Sequence, residues 1–163
     1  LIVGHTATAM GAQTLDGKMS EYNYNFLAAQ RVGLPYARRD FGGRKGAAKK
    51  MGQMGVDVSV ELHCNAYNGK AHGAEILVLA GDYKSRAYAE DMLESYCTRF
   101  KKRSRGVKEI GRGGRGYYNL KYVKDAGVQV VLLIEPFFID NEDDYISYLD
   151  YADWLKDYCG GIK

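Results

Sequence analysis

Proline is scarce, with 2 residues in a chain of 163. That excludes a collagen-like chain and a proline-rich linker. Cysteine is scarce as well, and odd in number. Cys64, Cys97 and Cys159 form no Cys-x-x-Cys pair, so a disulfide framework is not the organising device and reduced thiols are expected. No run approaches the ~18 apolar residues of a membrane span. The longest, residues 128–139, is interrupted by Gln129, Glu135 and Pro136. Net charge is small: 23 basic minus 20 acidic residues gives +3. That permits a polyanionic partner without requiring one. No amino-terminal stretch reads as a signal peptide.

What remains is an ordinary globular composition, 46% hydrophobic and 26% charged, which argues against wholesale disorder. The length predicts one domain over residues 1–163, able to bury roughly two-thirds of its unfolded surface. Two residue types are abundant. There are 14 tyrosines, which offer apolar area with a polar tip and suit core edges and binding grooves alike. The 20 glycines, about 12% of the chain against ~7% on average, peak between Gly111 and Gly116.

Apolar blocks alternate with helical patterns. Leu1-Ile2-Val3-Gly4 reads as the end of a buried strand. Ser20 with Glu21 marks a helix start that carries Tyr22, Phe26, Ala29 and Val32 and stops at Gly33. A short strand over 34–38 and a basic helix over 44–54 follow. Residues 56–63 alternate apolar and polar with period 2, which predicts a strand. A second apolar strand covers 73–80, a helix 83–99 and a strongly apolar strand 128–139. The terminal helix is predicted over 141–158, with Tyr145, Ile146, Leu149, Ala152 and Leu155 at helical spacing. The expectation is an α/β fold: a twisted, mostly parallel (mixed) central sheet flanked by helices, with its site at the carboxyl ends of the strands.

Four polar residues sit where an apolar strand stops or a helix begins: His5, Glu21, His63 and Glu135. Two imidazoles and a carboxylate with an open fourth position make a catalytic zinc site, and a second carboxylate beside it can act as general base. Taken singly, His5, Glu21 and His63 each have a bland explanation. A histidine at a strand end is more often structural, and Glu21 suits a helix amino terminus. Glu135 resists that explanation, because it follows Val130-Val131-Leu132-Leu133-Ile134 and a buried carboxylate is costly unless paired or metal-associated. Period 2 puts Glu61 on the same face as His63 and sends Cys64 to the other. Glu61 is then either a partly exposed strand position that partners an arginine, or an acceptor that tunes His63 from behind. His72 reads as a loop residue.

Four ordered blocks carry a resemblance. The first is Ile2-Val3-Gly4-His5 with Gly11-Ala12 and Ser20-Glu21. The second runs from Gly55 through His63-Cys64-Asn65-Ala66, followed by Gly73-Ala74-Glu75-Ile76. The third is Arg105-Gly106-Val107-Lys108, and the fourth runs from Leu133 through Glu135 to Asp144. Together they make the sequence resemble zinc-dependent N-acetylmuramoyl-L-alanine amidases of the amidase-3 family, which cut bacterial peptidoglycan. The resemblance implies one Zn2+ per chain held by His5, Glu21 and His63, with Glu135 as the catalytic carboxylate. Asn65, Arg105 and Lys108 are placed on the substrate side. It implies a monomer acting at the cell wall, on peptidoglycan rather than nucleic acid, and the lack of a signal sequence leans toward a phage lysin or a trimmed domain. Thr6 departs from the pattern, since the family usually has glycine directly after the first histidine.

Two other classes stay open at this point. One is a non-catalytic, glycan-binding relative. The other is a nucleic-acid-binding α/β domain that uses the basic Gly/Arg/Tyr segment 101–118, for which steeply salt-sensitive polyanion binding is the expected signature.

Overall fold

The computed structural model describes residues 1–161. Its centre is one six-stranded sheet: β1 (Ile2–Val3), β2 (Ala37–Arg38), β3 (Val58–Leu62), β4 (Ala74–Leu79), β5 (Ser104–Ile110) and β6 (Val130–Glu135), in the order β2-β1-β3-β6-β4-β5. All neighbours are parallel except β4 and β6, which are antiparallel. The mixed sheet expected from the sequence is therefore present. The antiparallel pair has a consequence for the site: β4 begins at the sheet edge where β6 ends.

Helices cover both faces. The first, α1 (Glu21–Val32), packs on one face with α3 (Tyr83–Phe100) and α5 (Tyr148–Gly161). The other face carries α2 (Gly43–Gln53) and α4 (Tyr117–Asp125), against Ile2, Leu77, Val131 and Leu133. The period-2 pattern of β3 divides between these layers: Val60 and Leu62 enter the first core, while Ser59, Glu61 and His63 face the other way, and Cys64 returns to the first core. Local chemistry sets the boundaries of α1. Ser20 Oγ accepts a hydrogen bond from the Asn23 amide at 3.2 Å, and Gly33 ends the helix at φ 76°, where a β-carbon is disfavoured.

One expectation needs correction, and two elements carried no expectation from the sequence. The terminal helix begins at Tyr148, not Asn141. Asp144 is buried and its Oδ2 accepts from the Gly73 and Phe138 amides at 3.0 and 2.9 Å. That fixes 141–147 as a turn, and Ser147 then caps the helix by accepting from the Asp150 amide. Residues 104–110, part of the basic segment 101–118, form the edge strand β5, where pairing on one side only leaves charged side chains in water. Residues 117–125 form α4, whose short buried stripe of Asn119, Leu120 and Val123 gives a weak helical signal.

Among the described residues no helix is long and apolar enough to cross a membrane. The three cysteines are free, and Cys64 is buried in the core as its strand position required.

Candidate active site

His5 follows β1, His63 follows β3, Glu135 closes β6 and Glu21 opens α1. The fold brings all four to one cavity of about 350 Å³. His5, Glu21 and His63 offer three ligand atoms that lie within 4.8 Å of one another. Glu21 Oε2 is 3.1 Å from His5 Nε2, and Glu21 Oε1 is 2.8 Å from His63 Nδ1. The Glu21 carboxylate is itself held by the backbone, its two oxygens accepting from the Ala12 and Cys64 amides at 3.1 and 2.9 Å. Burial opposes its ionisation, but hydrogen bonds from His5 and His63 hold its carboxyl well below the usual range.

The space around this trio is reserved by glycine. A β-carbon on Gly11 would fall 2.4 Å from Glu21 Oε2 and 2.9 Å from His5 Nε2; one on Gly4 would fall 2.6 Å from the His63 ring. His5 itself adopts a left-handed backbone with φ 62°, uncommon for a residue with a side chain. Thr6 closes the loop that follows by accepting from the Ala9 amide at 3.0 Å, so the departure from glycine is accommodated.

Behind His63 stands Glu61. Its Oε1 lies 2.9 Å from His63 Nε2, which leaves Nδ1 as the nitrogen facing Glu21. The same oxygen accepts from Arg39 Nη2 and, at 3.0 Å, from Asn119 Nδ2. Glu61 is therefore both the arginine partner and the histidine partner considered from the sequence, and it is buried rather than partly exposed. Burial, with the nearby Arg44 charge, lowers the Arg39 guanidinium to about 10.

Glu135 has a partner that the sequence did not reveal. Glu75 stands directly across from it on the antiparallel β4–β6 pair, and the two are 4% and 5% exposed. Arg115 spans them, donating from Nη1 to Glu135 Oε1 and from Nη2 to Glu75 Oε1, both at 2.8 Å. Asn65 Nδ2 also donates to Glu75 Oε1, at 3.0 Å. Glu135 Oε2 is buried with no hydrogen-bond partner. Burial pushes the Glu135 carboxyl up to about 7; Arg115 and His63 pull it back and Glu75 adds to the rise. Glu75 is itself desolvated, but hydrogen bonds from Asn65 and Arg105 bring it below its ordinary value.

Of the residues expected on the substrate side, Asn65 lines the cavity. Arg105 lies at its margin, with Nε 3.2 Å from Glu75 Oε2 and its guanidinium over the Phe138 ring, 5.1 Å from the centroid. Lys108 is exposed on β5, away from the cavity wall, and His72 is an exposed loop residue. Glu75, Arg115, Arg39 and Asn119 were not anticipated. For Glu75 a signal existed, a carboxylate inside the apolar run Ala74–Leu79.

The sequence profile described as N-acetylmuramoyl-L-alanine amidase, Amidase_3, matches residues 44–163. That span contains His63 and Glu135; His5 and Glu21 precede it and are joined to them by the fold. No curated protein sequence is significantly similar. Among solved structures, Cwp6 from Clostridium difficile superposes with a TM-score of 0.79 at 21% identity, over 99% of this chain and 28% of Cwp6. This chain thus spans under a third of that protein. The catalytic domain of CwlV, an N-acetylmuramoyl-L-alanine amidase from Bacillus (Paenibacillus) polymyxa, gives 0.72 at 18% identity, over 98% of this chain and 96% of that domain. The catalytic domain of the CD27L endolysin targeting Clostridia difficile gives 0.73 at 24% identity, over 94% and 91%.

Proposed function

The chain belongs to the amidase-3 family of N-acetylmuramoyl-L-alanine amidases, and from that premise we propose that residues 1–163 are a zinc-dependent catalytic domain that hydrolyses peptidoglycan at the bacterial cell wall. The bond cut joins the lactyl carboxyl of N-acetylmuramic acid to the amino group of L-alanine in the stem peptide. One observation carries this reading. Three ligand atoms drawn from β1, α1 and β3 meet in the cavity where Glu135 ends β6.

The donor set fits zinc. Two imidazole nitrogens and one carboxylate are a recognised catalytic combination that leaves a fourth position open. Gly11 and Gly4 keep the neighbouring space clear of side chains, and Glu61, by accepting from His63 Nε2, would leave Nδ1 to offer its lone pair to a metal. Bound there, a zinc ion supplies Lewis acidity toward the scissile carbonyl and toward water.

The remaining work falls to this chain's side chains. Glu135 takes a proton from the attacking water through Oε2, the oxygen without a partner. It later delivers that proton to the departing amide nitrogen, so that C–O forms, C–N breaks and the products are a lactyl carboxylate and a free L-alanine amine. A carboxyl raised to about 7 suits both halves of that task. Arg115 holds Oε1, which leaves Oε2 as the oxygen free to take the proton. Asn65 and Arg105 flank the same margin through Glu75 and are assigned to substrate binding there.

The test is digestion of purified peptidoglycan. New amino-terminal alanine without new reducing sugar ends is the expected product. New reducing ends alone, or no product from zinc-loaded protein, overturns the reading.

A further inference from the structure

Three guanidinium groups line the cavity, and two of them already pair with carboxylates. Arg39 pairs with Glu61, and Arg115 bridges Glu135 and Glu75. Arg44 is the third. Its Nε donates to the neutral amide of Asn119, at 2.8 Å from Oδ1, and among the described residues it forms no ion pair with a carboxylate. It is exposed at the cavity wall, so its terminal nitrogens are open to an incoming ligand.

The position of Arg44 is electrostatically unfavourable. It is the second residue of α2, where the helix macrodipole repels a cation. The first turn of α2 has no acidic residue, and Gly42 offers no capping side chain. A second helix start reaches the same cavity at Gly116, and α4 likewise has no acid in its first turn and no side-chain cap. The Arg39 charge beside it is already matched by Glu61, whereas Arg44 has no carboxylate partner of its own among the described residues. A cation kept at a helix start without a partner is placed to receive an anion from outside.

We propose that Arg44 is a specificity-determining residue that binds a free carboxylate of the stem peptide, on the residue following L-alanine. This rests on the amidase reading and deepens it. In the intact substrate the lactyl carboxyl of the sugar is consumed in the scissile amide, so free carboxylates lie on the peptide side. The α-carboxylate of a γ-linked glutamate at the second position is the first of these along the peptide. The other two cations expected on the substrate side are less free to bind it. Arg105 is tied to Glu75 and stacked on Phe138, and Lys108 stands outside the cavity wall. A guanidinium held by its Nε still presents two terminal nitrogens, the geometry that binds a carboxylate in a bidentate manner.

The experiment uses two soluble muramoyl tripeptides, identical except that the α-carboxylate of the second-position glutamate is free in one and amidated in the other. The readout is the ratio of kcat/KM for the two. Wild type is expected to favour the free acid by about 10- to 100-fold, the range of a hydrogen bond to a charged group. Arg44→Gln is expected to bring the ratio close to one, and Arg44→Lys to restore part of it. A purely structural role would lower both rates together and leave the wild-type ratio standing in Arg44→Gln, which overturns the proposal. A wild-type ratio near one, with peptidoglycan still cleaved, also overturns it while leaving the amidase reading intact. Failure of wild type to cleave peptidoglycan or either tripeptide overturns both.

Discussion

Glu75 and Glu135 face each other across the antiparallel β4–β6 pair, both almost out of solvent, with the Arg115 guanidinium between them. Two buried carboxylates this close do not both ionise easily, and the pair divides accordingly. Glu75, which accepts from Asn65, Arg105 and Arg115, holds the charge, while Glu135 is raised to about 7.

Arg115 is then expected to set the pH range of activity. Its charge stabilises ionised Glu135, so removing it in Arg115→Gln raises that carboxyl further. The acidic limb of the kcat/KM profile, along which activity grows as Glu135 loses its proton, moves to higher pH. At pH 7 the variant loses activity by about fivefold for the first unit of that displacement and about tenfold for each further unit. An Arg115→Gln profile with its acidic limb unmoved would show that the bridge does not control Glu135.

Gly11 and Gly33 make a matched pair for testing the proposed metal site. Both have left-handed backbones, with φ 75° and 76°. A β-carbon on Gly33 meets nothing within 4 Å, whereas one on Gly11 collides with Glu21 and His5. Both alanine variants are expected to lose about 1–2 kcal/mol from backbone strain in denaturant melts. Gly11→Ala alone should also lose zinc binding, measured as metal per chain after dialysis. Equal zinc retention in the two variants would contradict the cradle.

Glu61→Gln tests the carboxylate behind His63. A neutral amide gives the imidazole a weaker acceptor and leaves Arg39 without its partner. Zinc affinity in competition with a chelator should fall by about 10- to 100-fold. Unchanged affinity and turnover would reduce Glu61 to a structural partner of Arg39.

The sequence pointed to His5, Glu21, His63 and Glu135 as candidates because each ends or opens a recognisable element, and the fold brings the four to one cavity. His5 and His63 follow apolar strands, Glu21 follows an N-capping serine, and Glu135 interrupts an apolar run. What escaped did so for physical reasons. The rule that sites lie at carboxyl ends of strands overlooks Glu75, which sits near the start of β4, and only the antiparallel pairing with β6 brings that start to the site. The charged strand β5 reads as a loop because an edge strand has water on its open side. Arg115 was hidden in a Gly/Arg run that resembles a solvated tail, although it reaches two buried carboxylates. Arg39 and Asn119 meet Glu61 from 22 and 58 residues away, and no local spacing announces such contacts.

The central claim is that His5, Glu21 and His63 hold the metal while Glu135 moves the proton. The most direct measurement is zinc content after loading and desalting, made on wild type, His63→Ala and Glu135→Ala, with peptidoglycan hydrolysis followed on the same samples. The account predicts about one zinc per chain in wild type and in Glu135→Ala, little in His63→Ala, and loss of hydrolysis in both variants. A wild type that takes up no zinc, or a His63→Ala protein that keeps its metal and its activity, would contradict it.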